Sequence, residues 1–176
     1  EHVELPHTDQ NTGIDLGIKD LCITSKGKKY ENPKTIRKYE KKLAKLQRQL
    51  AHKEKRRQNY NKIKKKIALC HEKITNSRKD YLHKISHEII SENQVIVSEN
   101  LQIQNMMKDH HLAKAISDVS WYELTRQLEY KAKWNGRKYI KIDTFYASSQ
   151  LCSVCGYQNT EIKDLSIREM NLSGEK

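Results

Sequence analysis

The stretch Gly13-Ile14-Asp15-Leu16-Gly17-Ile18-Lys19 decides how the rest of the chain is read. Ile14, Leu16 and Ile18 alternate with Asp15 and Gly17, the period of two expected of a strand with unlike faces. Glycines in such a strand permit close backbone approach. A carboxylate between apolar residues is costly unless it is paired or holds a metal. Two readings of Asp15 follow from the pattern alone. It is an ordinary strand-end acid, or it is half of a site whose other half lies further along the chain.

Upstream, residues 1–12 are polar, carry Pro6 and two histidines, and show no periodicity. They are expected to be a linker entering from something that precedes them. Downstream, Leu21–Thr24 and Lys29–Glu31 read as two further short strands. Ser25-Lys26-Gly27-Lys28 is the turn between them, so that antiparallel strands fill residues 13–32. Cys22 falls in a strand pattern and reads as a small core residue.

Composition narrows the partners. The chain has 176 residues with 34 Lys and Arg against 22 Asp and Glu, a net charge of +12. An excess of that size calls for a polyanion, either nucleic acid or an acidic membrane surface. No apolar run approaches the ~18 residues that span a bilayer, and no signal-peptide core is present. Four cysteines, two of them a close pair, suit a reducing compartment better than a disulfide framework. The chain is therefore read as soluble and cytoplasmic, with no membrane partner.

Asn32 is expected to cap a helix that Pro33 begins. From there to about residue 91 the pattern is helical. Leu43, Leu46 and Leu50 form one apolar seam, and Ile63, Ile67, Cys70 and Ile74 form another after the polar break His52–Asn61. Two antiparallel helices explain this better than one rod. About nineteen Lys and Arg lie between Lys34 and Lys84, with few acids among them. A solvated face is the ordinary reading of a charge run. The lack of compensation favours contact with a phosphate backbone instead. The candidate contacts are Lys41, Lys45, Arg48, Arg56, Arg57, Lys64, Lys65, Arg78 and Lys79.

Val95-Ile96-Val97 is a continuous apolar run, as in a central strand covered on both faces, and Glu99 at its end is a second acid in an apolar strand, as Asp15 is the first. Residues 102–111 read as a loop in which His110 and His111 are solvated. Leu112–Trp134 reads as one amphipathic helix striped by Leu112, Ile116, Val119, Leu124 and Leu128, closed by Asn135-Gly136. Trp121 and Tyr130 read as core or interface residues. Lys138–Asp143 alternates as a last strand beside that helix. Cys152-Ser153-Val154-Cys155-Gly156 then has the spacing of half a zinc site, and two thiolates do not complete a tetrahedron. Bound zinc and incidental thiols stay open as alternatives.

Five blocks in order now carry a resemblance. They are Gly13–Ile18, Asn76–Lys84, Ser98–Leu101, Trp121–Leu124 with Leu128–Ala132, and Ser149–Gly156. Together they resemble TnpB, the OrfB protein of bacterial insertion sequences, which is related to type V CRISPR effectors. The resemblance covers nearly the whole chain. It implies an α/β fold of RNase H-like (RuvC) type, a mixed sheet with a long inserted basic helical hairpin and a partial zinc-ribbon tail. It divides the chain into a linker (1–12), a nuclease core (13–32 and 92–146), the hairpin (33–91) and an incomplete zinc segment (147–176).

The resemblance also implies that Asp15 and Glu99 are catalytic acids holding Mg2+ or Mn2+. The activity implied is hydrolysis of a DNA phosphodiester under the direction of a guide RNA. Cys152 and Cys155 match the first pair of the family's zinc-binding module, which would take Zn2+. Two features depart from the family. Its upstream recognition half has no counterpart here. Where it continues into a second cysteine pair and a third acid, this sequence turns at Met170 and stops at Lys176. Asp164 does not match the third acid, and the family gives Asp143 no metal role. The polypeptide alone is therefore expected to cut poorly. The competing readings are a catalytically silent RNA- or DNA-binding module of the same family, and a structural helical-hairpin protein.

Overall fold

The structure is a computed structural model that describes residues 4–102, 106, 108, 113, 116–117, 120–143 and 157. The chain divides into two units, 1–142 and 143–176, and every element described here belongs to the first.

The elements follow in the order β1 (Asn11–Leu16), β2 (Asp20–Thr24), β3 (Lys29–Glu31), α1 (Thr35–Ala51), α2 (Gln58–Glu92), β4 (Val95–Glu99), α3 (Trp121–Trp134) and β5 (Lys138–Ile142). The strands form one mixed sheet in the order β3-β2-β1-β4-β5. β1, β2 and β3 are antiparallel neighbours, as the turn chemistry of Ser25–Lys28 requires. β4 and β5 run parallel to β1, and the helices make the long connections that parallel pairing needs.

One face of the sheet is the core. Ile14, Leu16, Cys22 and Ile96 meet Leu82, Ile85, Ile89 and Ile90 of α2 and Trp121, Leu124, Leu128 and Ala132 of α3 in a single buried cluster. A second, smaller cluster of Leu46, Cys70 and Ile74, flanked by Leu43 and Ile67, zips α1 to the first half of α2. These are among the seam residues the spacing singles out. Leu50 and Ile63 are not part of the cluster, and α2 begins at Gln58, inside the expected break His52–Asn61.

The structure corrects several boundaries. β1 starts at Asn11 and ends at Leu16, earlier at both ends than expected. The residues before it are tied down. Arg137, buried after the close of α3, donates to the Pro6 carbonyl at 2.7 Å and to Gln94, while the Thr8 amide donates to Gln94 at 3.3 Å.

Asn32 does not cap α1, and Pro33 is not its first residue. The Asn32 side chain accepts from the Lys34 amide at 3.0 Å, closing a local turn. Lys34 takes a left-handed conformation (φ 46°), and α1 begins only at Thr35. The expected single helix Leu112–Trp134 is interrupted at Ser120, which is also left-handed (φ 58°), so α3 starts at Trp121. Its close does follow the sequence signal. Gly136 has φ 65°, and the Arg137 amide returns to the Ala132 carbonyl at 2.8 Å. Leu112, Val119, His110, His111 and the Cys152–Gly156 motif lie outside the described residues.

Candidate functional site

Strand alternation and register put the two acids at the next position after a shared pair on neighbouring strands. β1 and β4 pair in parallel with Gly13 opposite Val97 and Ile14 opposite Ser98. The next residue on β1 is Asp15, and the next on β4 is Glu99. Ile14 and Ser98 both point into the core, at 4 % and 2 % exposure, so the next residue on each strand faces the other way. Asp15 is accordingly exposed and Glu99 half-buried on one face of the sheet, 84 positions apart in sequence.

The end of β1 is braced on both sides. The Trp121 indole donates to the Gly17 carbonyl at 3.2 Å, fastening the start of α3 two residues from Asp15. A Cβ at Gly17 would lie 3.0 Å from the Asp20 carbonyl, so this glycine does permit a close approach. Gly13 has ordinary room, its nearest neighbour being Ser25 at 3.8 Å.

Cys22, on the adjacent strand, adds no ligand. Burial, and secondarily the charge of Asp15, pushes its thiol up to about 12, which keeps it protonated. Cys70 is likewise buried as a free thiol in the hairpin seam. Among the described residues no group of three or more His, Cys, Asp and Glu side chains gathers around a point. Two carboxylates on neighbouring strands form the candidate centre, and as hard oxygen donors they fit Mg2+ or Mn2+.

The basic hairpin offers a second surface. Lys41, Lys45, Arg48, Arg56, Arg57, Lys64, Lys65 and Lys79 are exposed. Arg57 is paired with Glu54 at 2.7 Å. Arg78 differs from the rest. It is half-buried and donates to the Ser117 carbonyl at 3.1 Å and to the Ser120 hydroxyl at 2.7 Å, so it ties α2 to the entry of α3. An open groove runs between α1 and α2, lined by Lys42, Lys45, Gln49, Lys66 and Lys73 around Leu46 and Cys70. Of these lysines the charge count alone singled out only Lys45. Lys42, Lys66 and Lys73 are identified by their places next to the seam leucines and isoleucines, a signal that was present in the spacing.

Comparison with known proteins turns this arrangement into an identity. Residues 1–110 match the family OrfB_IS605, described as a probable transposase. The chain belongs to the OrfB transposase family. Residues 121–173 of this OrfB-family chain also match the Cas12f1-like TNB domain.

Among its relatives is a putative RNA-guided DNA endonuclease of Streptomyces pristinaespiralis, 43 % identical over 93 % of the chain and 40 % of that protein. Another is the putative RNA-guided DNA endonuclease InsQ of Escherichia coli K12, 37 % identical over 85 % of the chain and 40 % of its partner. The chain thus spans about 40 % of the length of these relatives. A solved structure, the cryo-EM complex of Cas12f1 with sgRNA and target DNA, aligns with a TM-score of 0.53 at 21 % identity. The alignment covers 89 % of this chain and 41 % of that one, which shows a shared fold. No described helix is long and apolar enough to cross a membrane.

Proposed function

We propose that this chain is the RuvC-like, RNase H-like nuclease portion of a transposon-encoded RNA-guided DNA endonuclease. In this reading Asp15 and Glu99 hold the divalent cations and the basic hairpin grips a nucleic-acid backbone. The single observation that supports it is that Asp15 and Glu99 are the residues that follow the Ile14–Ser98 pair on two neighbouring parallel strands, on the face turned away from the core. The kinship with proteins named RNA-guided DNA endonucleases supports it.

Mg2+ or Mn2+ bound there would polarise a phosphodiester and lower the pKa of a bound water. The residues of the chain do the rest. The two carboxylates would fix where the cation sits, because Asp15 stands between the buried Ile14 and Leu16 and Glu99 follows the buried Ser98. Trp121 holds the β1 end in place through the Gly17 carbonyl. The exposed lysines of α1 and α2 neutralise phosphates without reading bases, which leaves sequence choice to base pairing. Cys152 and Cys155 are proposed as one half of a Zn2+ site.

The test is cleavage of matched DNA with guide RNA and Mg2+ or Mn2+, by the 176-residue polypeptide and by a full-length relative. We expect the full-length protein to cut and to lose at least a hundredfold in rate on Asp15→Ala or Glu99→Gln. The 176-residue polypeptide, which spans about 40 % of the length of its relatives, is expected to cut far more slowly. Full activity of the Asp15→Ala full-length protein would refute the assignment.

A second reading is a catalytically silent RNA- or DNA-binding module, supported by the exposed lysines that line the groove of the hairpin. Robust cleavage by the 176-residue polypeptide would exclude it.

A further inference from the structure

Tyr122 and Trp134 are large aromatic side chains left mostly in water, at 68 % and 53 % exposure, and both lie on α3. The inner side of this helix is already filled by Trp121, Leu124, Leu128 and Ala132. On its outer side Tyr122, Arg126, Tyr130 and Trp134 recur every four residues, which places them on one ridge. At the helical rise per residue the ridge is about 18 Å long.

The ridge is ordered before anything binds. The Arg126 guanidinium lies 5.5 Å from the centre of the Tyr130 ring, and Glu123 holds it there through two bonds of 2.8 and 2.9 Å. The rings of Tyr130 and Trp134 meet edge-on, their centres 4.6 Å apart. Lys133, which precedes Trp134 in sequence, and Lys138, at the start of β5, are exposed. The interleaved acids, Glu123 and Glu129, are already matched by Arg126 and Lys141.

A merely solvated helix face gains nothing from exposed Trp and Tyr. A protein-docking face has no need of the flanking lysines. Aromatic faces interleaved with cations suit a strand whose bases are unpaired, since every base has a π-face and every linkage a negative charge. A duplex keeps its bases stacked on each other and offers only the charge.

We propose that this ridge is a docking surface for single-stranded DNA, with bases stacking on Tyr122 and Trp134 and phosphates passing Lys133 and Lys138. The choice of DNA rests on the nuclease reading above and on position. Tyr122 follows Trp121, whose indole donates to the Gly17 carbonyl at 3.2 Å, two residues along β1 from Asp15. The ridge therefore starts at the end of the sheet that carries the acids, where a strand entering the site has to pass.

The chain has two tryptophans, one buried at 2 % exposure and one open, so its emission distinguishes them. Titration of the full 176-residue chain with a single-stranded thymidine 20-mer, without divalent metal, is expected to quench the Trp134 emission. A Tyr122→Ala/Trp134→Ala variant with unchanged circular dichroism is expected to bind that strand about tenfold or more weakly. Trp134→Phe should keep most of the affinity, and a duplex of equal length should bind both proteins alike.

Equal affinity of the double variant for the single strand overturns the proposal, as does an equal loss for the duplex. A larger loss for a uridine 20-mer overturns the choice of DNA. A variant that alters only the sedimentation of the chain assigns the ridge to self-association instead. Because no bond is cut in this assay, its failure leaves the Asp15–Glu99 reading to its own cleavage test.

Discussion

Asp15 is exposed because its neighbours are not. Ile14 and Leu16 fix the inward face of β1, and the alternation of a strand then sends Asp15 outward, where Glu99 arrives from β4 for the same reason. The alternation of β1 was readable from residues 13–19, whereas Val95-Ile96-Val97 reads as a run covered on both faces and the strand instead alternates half-buried and buried residues. The polar fastening behind the helices was not readable. Ser86 donates to Gln127 at 2.9 Å, Gln127 donates to Glu123 at 3.0 Å, and Lys131 reaches the Ser86 hydroxyl at 2.7 Å. Ser86 and Gln127 are fully buried, and single polar residues inside an amphipathic helix pattern give no sign of which partner they will meet.

Glu123 makes this network testable. Its bonds from Arg126, and then from Gln127, hold its carboxyl down from the ordinary 4.5 to about 2. The folded chain therefore keeps the charge at pH values where the unfolded chain has taken up a proton. The resulting stabilisation is complete above pH 4.5 and disappears as the pH falls toward 2. Glu123→Gln is expected to lower the thermal midpoint at pH 6, with the two proteins converging near pH 2. A constant difference between pH 6 and pH 2 would contradict this assignment.

At the scale of elements, α2 is the joint of the molecule. Its 35 residues extend about 52 Å at the rise of an α-helix. Cys70 and Ile74 hold α1 at one end, while Leu82, Ile85, Ile89 and Ile90 hold the sheet at the other. Force on the hairpin is thus transmitted to the sheet without a hinge in between. Apolar spacing showed the seams because each is a row of residues three and four apart.

The interruptions at Lys34 and Ser120 escaped, since both are ordinary residues in left-handed backbone. That geometry is set by contacts from elsewhere: Asn32 on the Lys34 amide, and Arg78 on the Ser120 hydroxyl. Lys42, Lys45, Lys66 and Lys73 line the groove of this hairpin. Their joint replacement by Gln is expected to weaken binding to duplex nucleic acid and to reduce the slope of log K against log salt by about 3 to 4. Replacing Arg78, which serves the fold, is expected to lower the thermal midpoint instead. An unchanged salt slope in the fourfold variant would remove the groove from the binding surface.

At the scale of the whole chain, the fold brings together residues that the sequence keeps apart. The antiparallel start β1-β2-β3 is local and was legible from turn chemistry. The parallel pairing of β1 with β4 spans the entire helical hairpin, and no local pattern specifies it. Residues 13–19 by themselves leave Asp15 as half of a pair, and Glu99 lies on the strand that the parallel register sets next to it.

The most direct measurement is Mn2+ binding followed by electron spin resonance of the free ion. The comparison is between the wild-type chain and the Asp15→Ala, Glu99→Gln and doubly substituted chains. The account predicts that wild type takes up Mn2+, that either single substitution removes most of the uptake, and that the double substitution costs little more than one alone. Identical titration curves for wild type and the double variant would contradict it.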